Sequence, residues 1–234
     1  MKIFAVSDLH LSGDCPKPMD IFGQNWENHW DKIREDWQSR VGDGDLVLIA
    51  GDISWAMTLE QAKVDLDQID ALPGKKVILR GNHDYWWGSL SKVAAAMGPS
   101  CCPLQNNALR YGRCLIAGSR GWTVPGNNTD GQDKKIYARE LQRLKLSLDQ
   151  AKAQRQEGDM LIVMTHFPPF NERQEPSEVT ELLEACRVDQ VIYAHLHGYY
   201  QKNAFDGELR GIPYQLTSCD HLGFKVHEIA ELDD

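Results

Sequence analysis

The stretch KKVILRGNHD, residues 75–84, places a glycine, an asparagine, a histidine and an aspartate directly after an apolar run. The run at 75–80 has the length and composition of a buried β-strand. In an α/β sheet, polar side chains that follow the carboxyl end of a strand lie at the edge where ligands bind. The stretch therefore predicts one strand of an α/β sheet that ends at a candidate functional site.

Four further apolar runs, at residues 2–7, 45–50, 160–165 and 190–194, lead into polar residues in the same way. These residues are Asp8 and His10, Asp52, His166, and His195 with His197. An aspartate or histidine after one strand is an ordinary turn residue, but turns do not require histidine or asparagine at every strand end. Carboxylate, imidazole and amide groups that converge at one sheet edge form a site for divalent metal ions.

Helical patterns separate these strands. The apolar residues of 26–41 and of 59–69 each fall on one helical face, and Thr58 with Gln61 forms a capping box before the second of these helices. A long third helix covers 136–151, and Ser177 caps a short fourth one. Further strands are expected in a hairpin at 109–118 and in the runs at 214–219 and 224–229. The alternation predicts an α/β fold, and the absence of a linker in 234 residues predicts a single domain over 1–234.

Composition narrows the class of protein. Hydrophobic residues make up 42% and charged residues 25%, so a buried core is expected. The formal net charge of −9 argues against broad nucleic-acid binding, because like charges repel the phosphate backbone. No apolar run is long enough for a signal peptide or a membrane span, which predicts a cytoplasmic protein with no membrane partner. The six cysteines lack C-x-x-C spacing and are expected to be reduced thiols.

Taken in order, these motifs resemble those of the calcineurin-like metallophosphoesterase superfamily: D-x-H, G-D, G-N-H-D/E, a lone histidine, and G-H-x-H. The resemblance implies two packed mixed β-sheets flanked by helices, a four-layer α/β/β/α sandwich. It also implies two divalent metal ions, whether manganese, iron, zinc, nickel or cobalt. The implied ligands are Asp8, His10, Asp52 and His197 for the first ion, and Asp52, Asn82, His166 and His195 for the second. Asp52 would bridge the two ions, and His83 would face the substrate with Asp84 orienting it.

The activity implied by the resemblance is hydrolysis of a small phosphodiester or phosphomonoester by a hydroxide that bridges the two metal ions. Asp52 is followed by Ile53-Ser54-Trp55, without the Asp-Arg-Gly of the serine/threonine protein phosphatases, which indicates a bacterial-type phosphohydrolase. Ala194 stands where the family has a glycine. The alternative function is a non-catalytic metal-binding scaffold on the same fold. A barrel-type amide hydrolase is disfavoured because its H-x-H would come first in the chain.

The segment 120–133 is rich in Gly, Asn and Asp, and long loops of this kind are often functional. Arg120 and Trp122 in this loop are candidates for substrate binding, with an ordinary surface arginine and a packed indole as the alternatives. Three other tryptophans follow the motifs closely: Trp55, Trp86 and Trp87. They either stack on a ring of the substrate or pack in the rim and core. The sequence leaves the substrate, the metal and the oligomeric state open.

Overall fold

The computed structural model describes residues 1–14, 16–126 and 129–233. The strands are β1 (Lys2–Ala5), β2 (Leu46–Ile49), β3 (Lys75–Leu79), β4 (Cys101–Leu104), β5 (Ala108–Tyr111), β6 (Cys114–Ser119), β7 (Met160–Thr165), β8 (Gln190–Tyr193), β9 (Gly207–Leu209), β10 (Ile212–Leu216) and β11 (His227–Glu231). The α-helices are α1 (His29–Arg40), α2 (Leu59–Asp70), α3 (Leu90–Ala96), α4 (Gly131–Gln154) and α5 (Glu178–Ala185). The order confirms the predicted α/β alternation.

The strands form two mixed sheets. The first has the order β11-β1-β2-β3-β4, in which β1 to β4 are parallel and β11 is antiparallel to β1. The second has the order β5-β6-β7-β8-β10-β9, in which the four central strands are parallel and both edge strands are antiparallel. Because neighbouring parallel strands have their carboxyl ends at the same edge of the sheet, the polar residues that follow these strands lie together at that edge.

Three apolar layers hold the sheets and helices together. Side chains of β1 alternate between them: Ile3 and Ala5 face the second sheet, whereas Phe4 packs among residues of α1 and α2. The second sheet packs on α4 and α5 through its other face. Because both faces of each sheet are covered, the central strands are continuous apolar runs. This layering confirms the expected α/β/β/α sandwich.

The two sheets are joined at the edge that carries the site. Beyond β1, Ser7 N donates to Thr217 O at 2.7 Å, and Cys219 N donates to Ser7 O at 2.9 Å. The hydroxyls of Ser7 and Thr217 are 2.8 Å apart and fully buried. Ser7 therefore ties the end of a first-sheet strand to the segment that follows β10 in the second sheet.

The predicted helix starts are partly confirmed. Thr58 and Gln61 form the expected capping box on α2, and Ser177 caps α5. The first helix begins later than expected, at His29, because Asn28 has a left-handed backbone. The third begins earlier than expected: α4 starts at Gly131, where the Asp130 side chain accepts from Asp133 N. The last turn of residues 120–133 is therefore helical, and Asn127 and Asn128 lie outside the described residues.

Several short elements differ from the sequence prediction. Strands β4 and β9 and helix α3 were not predicted, since each is short and its pairing or packing partner is distant in sequence. The last strand begins at His227 and not at residue 224, because Phe224 has φ +60° and breaks the extended backbone. The preceding strand is β10, which ends at Leu216 where the junction with Ser7 begins.

Five of the six cysteines lie in the part of the chain that the structure describes, and all five are free thiols, as expected. Cys101, Cys114 and Cys219 are buried free thiols, and Cys102 and Cys186 are half-buried free thiols. The sixth cysteine, Cys15, lies outside the described residues. No helix in the described part of the chain is long and apolar enough to cross a membrane.

Candidate metal centre

Five loops supply the predicted metal ligands, and the fold brings them to one place. The loops follow β1, β2 and β3 in the first sheet and β7 and β8 in the second. Their side chains form two groups, and within each group the potential ligand atoms lie within 4.8 Å of one another. The groups are Asp8, His10 and His197, and Asp52, His166 and His195.

The backbone at these loops is strained. Asp8, His10, Asp52 and His195 all have positive φ, between +47° and +77°. Non-glycine residues rarely adopt this region, and such conformations cost about 1–3 kcal/mol each. Strain of this kind persists where the surrounding structure fixes it, and it is concentrated at functional sites.

Two glycines let the loops after β2 and β3 touch. A Cβ on Gly81 would lie 2.0 Å from Asp52 Oδ1, and a Cβ on Gly51, whose φ is +101°, would lie 2.7 Å from the Gly81 backbone. These positions explain the glycines of the G-D and G-N-H-D motifs. Ala194 differs: it is not among the residues with positive φ, and its methyl packs in the layer between the sheets. A side chain is therefore accommodated there.

The first group surrounds the buried Asp8 carboxylate. His197 Nε2 is 3.8 Å from Asp8 Oδ2 and 3.4 Å from His10 Nε2. Asp8 Oδ2 also accepts a hydrogen bond from His195 N at 3.0 Å, whereas the buried Oδ1 has no hydrogen-bond partner among the residues that the structure describes. Burial raises the pKa of Asp8 to about 6, against the opposing charge of His197. An unpartnered buried carboxylate oxygen is costly unless a cation binds it.

The second group surrounds the side-chain oxygen of Asn82. Asn82 Oδ1 lies 2.7 Å from His166 Nε2 and 2.9 Å from His195 Nδ1. Burial, reinforced by the charge of His197, lowers the pKa of His195 to about 4, and burial also lowers the pKa of His166 well below its usual value. Both imidazoles are therefore neutral at neutral pH and present lone pairs.

Asp52 lies between the two groups. Its Oδ2 is 3.9 Å from His10 Nε2 and 3.5 Å from His166 Nε2, and its Oδ1 accepts from His83 N at 2.8 Å. Burial raises the pKa of Asp52, and the charges of Asp8 and Asp84 raise it further. One carboxylate oxygen thus faces ligands from both groups, which is the placement that a bridging ligand needs.

The polar atoms fit divalent cations. His166 Nδ1 lies 2.9 Å from Ala50 O. Since a carbonyl oxygen only accepts, Nδ1 carries the proton and Nε2 presents a lone pair. That lone pair faces the Asn82 oxygen, which is also an acceptor, and a cation beside both atoms removes the repulsion. Imidazole, carboxylate and amide ligands suit manganese, iron, zinc, nickel or cobalt.

Asp220 is a site residue that the sequence analysis missed. Its Oδ1 accepts from His197 Nδ1 at 2.9 Å, which leaves His197 Nε2 free to bind a metal. Its Oδ2 accepts from Gly198 N and Gln201 Nε2. Burial alone lowers the pKa of His197, but the charge of Asp8 and the hydrogen bond and charge of Asp220 outweigh it, so that the pKa is raised. The only local signal was an aspartate just after an apolar run.

His83 lies beside the two groups and faces a cleft. Its ring is 5.9 Å from that of His10 and 4.7 Å from that of Trp55, measured between centroids. Burial lowers the pKa of His83, as do the charges of Lys17 and His197. Trp55 stacks on His10 at 4.8 Å. Trp86 and Trp87 are buried, which confirms for these two the packing alternative.

Asp84 is fully buried, and its contacts are with the backbone and one indole. Its carboxylate accepts from Ile53 N, Ser54 N and Gly81 N at 2.8, 3.2 and 2.7 Å, and from Trp86 Nε1 at 3.0 Å. The His83 ring is not a donor to it among the described residues. Burial raises the pKa of Asp84, and these hydrogen bonds oppose the rise. Asp84 therefore fastens the loop after β2 to the loop after β3.

Arg120 and Trp122 lie behind the second group. Arg120 pairs with the buried Glu140 at 3.4 Å, and its guanidinium lies over the Trp122 ring at 4.8 Å. Trp122 packs on Phe167, whose ring is 4.3 Å from that of His195. The cavity beside Trp122 measures only about 10 Å³. Substrate binding by Arg120 and Trp122 stays a prediction.

Comparison with known families and structures agrees with this geometry. The family model for calcineurin-like phosphoesterases matches residues 1–199, which include every proposed ligand. The chain belongs to the calcineurin-like phosphoesterase family. Membership implies hydrolase activity on phosphate esters, and the two groups of ligand atoms indicate a centre for two divalent metal ions.

Individual relatives are distant. The gene 66 protein of Mycobacterium phage L5 is 36% identical over 78 residues, so that the match spans 33% of this chain and 37% of that protein. TT1561 of Thermus thermophilus superposes with a TM-score of 0.54 and 14% identity over 83% of this chain and 81% of its own. It shows a shared fold. AQ665 of Aquifex aeolicus, a protein of unknown function, has a TM-score of 0.49 and 14% identity over 97% of this chain and 94% of its own.

Proposed function

We propose that this protein hydrolyses a small phosphate ester, a diester in preference to a monoester, with two divalent ions at the site. The observation that carries the proposal is the position of Asp52 Oδ2 between His10 Nε2 and His166 Nε2. Two ions at such a site lower the pKa of a water molecule and neutralise charge on the phosphoryl oxygens.

The proposal assigns separate roles to the residues of the site. In the proposal, Asp8, His10 and His197 complete one ion's ligands, and Asn82, His166 and His195 complete the other's. His83 acts on the substrate. Its lowered pKa favours the neutral imidazole, whose N–H donates a hydrogen bond to a phosphoryl oxygen, whereas the minor imidazolium form gives a proton to the leaving oxygen.

Charge supports the proposed substrate class. A phosphodiester carries one negative charge, which two divalent ions neutralise without further cations, whereas a dianionic monoester gains from additional cationic groups. Arg120, the cation that the sequence offered for this role, is paired with Glu140. The net charge of −9 gives no field that steers a nucleic-acid polymer to the site.

The test is an assay of manganese-loaded protein with bis-p-nitrophenyl phosphate and p-nitrophenyl phosphate at one metal concentration. We expect hydrolysis that a chelator abolishes, with a higher kcat/KM for the diester. A preference for the monoester would contradict the diester assignment alone. Fully metal-loaded protein that hydrolyses no phosphomonoester, linear diester or cyclic nucleotide would support the non-catalytic scaffold instead.

A further inference from the structure

An open cleft of about 630 Å³ lies beside His83, and none of the proposed ligands lines it. Its lining residues are Pro16, Lys17, Trp55, Met57, His83 and Tyr85. The volume is that of a small-molecule site. In the proposed function the phosphate binds at the metal centre beside His83, so the organic group of the ester would extend along these walls.

Trp55 offers the cleft an aromatic face. One face of its indole is covered by the His10 ring, nearly parallel at 18° with centroids 4.8 Å apart. Lys17 Nζ lies 3.2 Å from the Trp55 centroid. An ammonium does not fit between two rings at that spacing, so Lys17 covers the opposite face. Because Lys17 is exposed and long, a planar ring can take its place on that face at little cost.

The other walls are apolar and unusually exposed. Met57 is 62% exposed and Tyr85 is 56% exposed, although both are large side chains with much apolar surface. Tyr85 also meets the His83 ring edge-on at 6.3 Å. Apolar surface that lines a cleft beside a reactive centre marks a ligand-binding groove. A flat ring between Trp55 and Tyr85 would cover this surface.

The ring contacts of Trp55 place its face close to the proposed metal centre. Trp55 contacts both His10, a proposed ligand, and His83, which would face the phosphate in the proposed function. A ring stacked on Trp55 is therefore joined to the phosphate directly or through a short linker. We infer that the cleft is a subsite for a planar aromatic group in the ester, which makes the substrate an aryl or nucleoside-type phosphate ester. This inference rests on the proposed function.

Binding of inert analogues tests the subsite without relying on turnover. Phenylphosphonate and methylphosphonate share the phosphoryl group and differ in the ring, and neither is hydrolysed. Calorimetry on manganese-loaded protein should give phenylphosphonate at least roughly tenfold tighter binding, since stacking of a base on an aromatic side chain is of that size. Tyr85→Leu should reduce this ratio by roughly threefold or more, with methylphosphonate affinity retained. Trp55→Leu should reduce the ratio as well, but with some loss of methylphosphonate affinity, because Trp55 also stacks on the proposed ligand His10.

Tyr199→Leu is the matched control, because Tyr199 is 74% exposed and lies outside the cleft lining. Its ratio should equal that of the unaltered protein. Equal affinity for both phosphonates, or a ratio that neither cleft variant changes, overturns the subsite. Hydrolysis of esters without ring selectivity overturns the subsite and leaves the proposed function standing. Ring selectivity without hydrolysis of any ester supports the subsite as a binding site and overturns the proposed activity.

Discussion

At the scale of single residues, the site depends on the groups that orient the proposed ligands as well as on the ligands themselves. Three of the proposed imidazole ligands illustrate this. His166 is fixed by the carbonyl of Ala50, His197 by Asp220, and His10 by stacking on Trp55. Partners of this kind set the tautomer and the ring orientation of a metal ligand.

Asp220→Asn should weaken metal binding at the first group and spare the second. The change replaces an acceptor of the His197 Nδ1 proton, and loss of such a partner costs about 10–100-fold in metal affinity. Titration with manganese, followed by elemental analysis, should show one tight site and one weakened site. Asp206→Asn is the matched control, since Asp206 pairs with His221 outside the proposed ligands. Equal loss at both sites in Asp220→Asn would contradict the assignment.

His83 and Asp84 are adjacent in sequence, but substitutions at the two positions should have different effects. His83→Ala should keep both ions and its unfolding free energy, while kcat falls by roughly 10²–10⁴-fold, the usual effect of losing general acid–base help. Loss of metal in this variant would make His83 a ligand instead.

Asp84→Asn should instead destabilise the fold. Asn keeps one acceptor oxygen, but its NH2 group replaces the other and faces buried N–H groups among those of Ile53, Ser54 and Gly81, so at least one donor is left unpaired at about 1–3 kcal/mol. Urea unfolding of Asp84→Asn and of His83→Ala measures the difference in unfolding free energy between the two variants. A variant with unchanged stability and reduced kcat would return Asp84 to the role of orienting His83.

At the scale of elements, short local signals fix where helices begin. The Thr58 hydroxyl accepts from Gln61 N, and the Gln61 side chain accepts from Thr58 N in return. Thr58→Ala should lower the unfolding free energy by about 1 kcal/mol, because the first turn of α2 loses its cap. Ser39→Ala, on the exposed face of α1, should change it by less than about 0.5 kcal/mol. Equal losses in the two variants, measured by urea unfolding, would contradict the capping role.

The β5–β6 hairpin carries a pH-dependent contact. Arg110 Nη2 donates to Asp159 Oδ2 at 2.7 Å, and this hydrogen bond, with that from Gln156 N, lowers the pKa of Asp159. A carboxyl group whose pKa is lower in the folded than in the unfolded state stabilises the fold at pH values above its unfolded pKa. This stabilisation is lost as the pH falls through the pKa of the folded state. Asp159→Asn should therefore lower Tm near neutrality and by less at about pH 3.5. A loss that grows toward acid pH would contradict this sign.

At the scale of the whole molecule, the site spans both sheets. The first sheet supplies Asp8, His10, Asp52 and Asn82, and the second supplies His166, His195 and His197. An ion bound here would link the sheets, and its ligand set is assembled only in the folded chain. Its binding energy adds to stability by mass action.

Removal of metal should lower the melting temperature. At a free metal concentration about a hundred times Kd, each site contributes about 2.7 kcal/mol, which corresponds to roughly 5–10 °C for a domain of this size. Differential scanning calorimetry with and without a chelator measures the shift. Asp52→Asn should reduce that shift, since the bridging carboxylate serves both sites. The same shift in the variant would show that Asp52 does not bridge.

Local sequence determined the strands that end at the site and the order of their polar residues. The apolar runs before Asp8, Asp52, Asn82, His166 and His195 form β1, β2, β3, β7 and β8, because a buried parallel strand is a continuous apolar run whatever its neighbours are. The caps at Thr58 and Ser177 were equally local, since a capping residue and its partner are three positions apart.

Tertiary structure decided what depends on residues far apart in the chain. Ser7 meets Thr217 across 210 positions, Asp220 meets His197 only once β10 is in place, and Asp84 meets donors 30 and 31 positions earlier. Strands β4 and β9 exist only because a neighbour pairs with them. Periodicity and capping are read within one or two turns of chain, whereas these contacts arise from packing two sheets together, which no local pattern encodes.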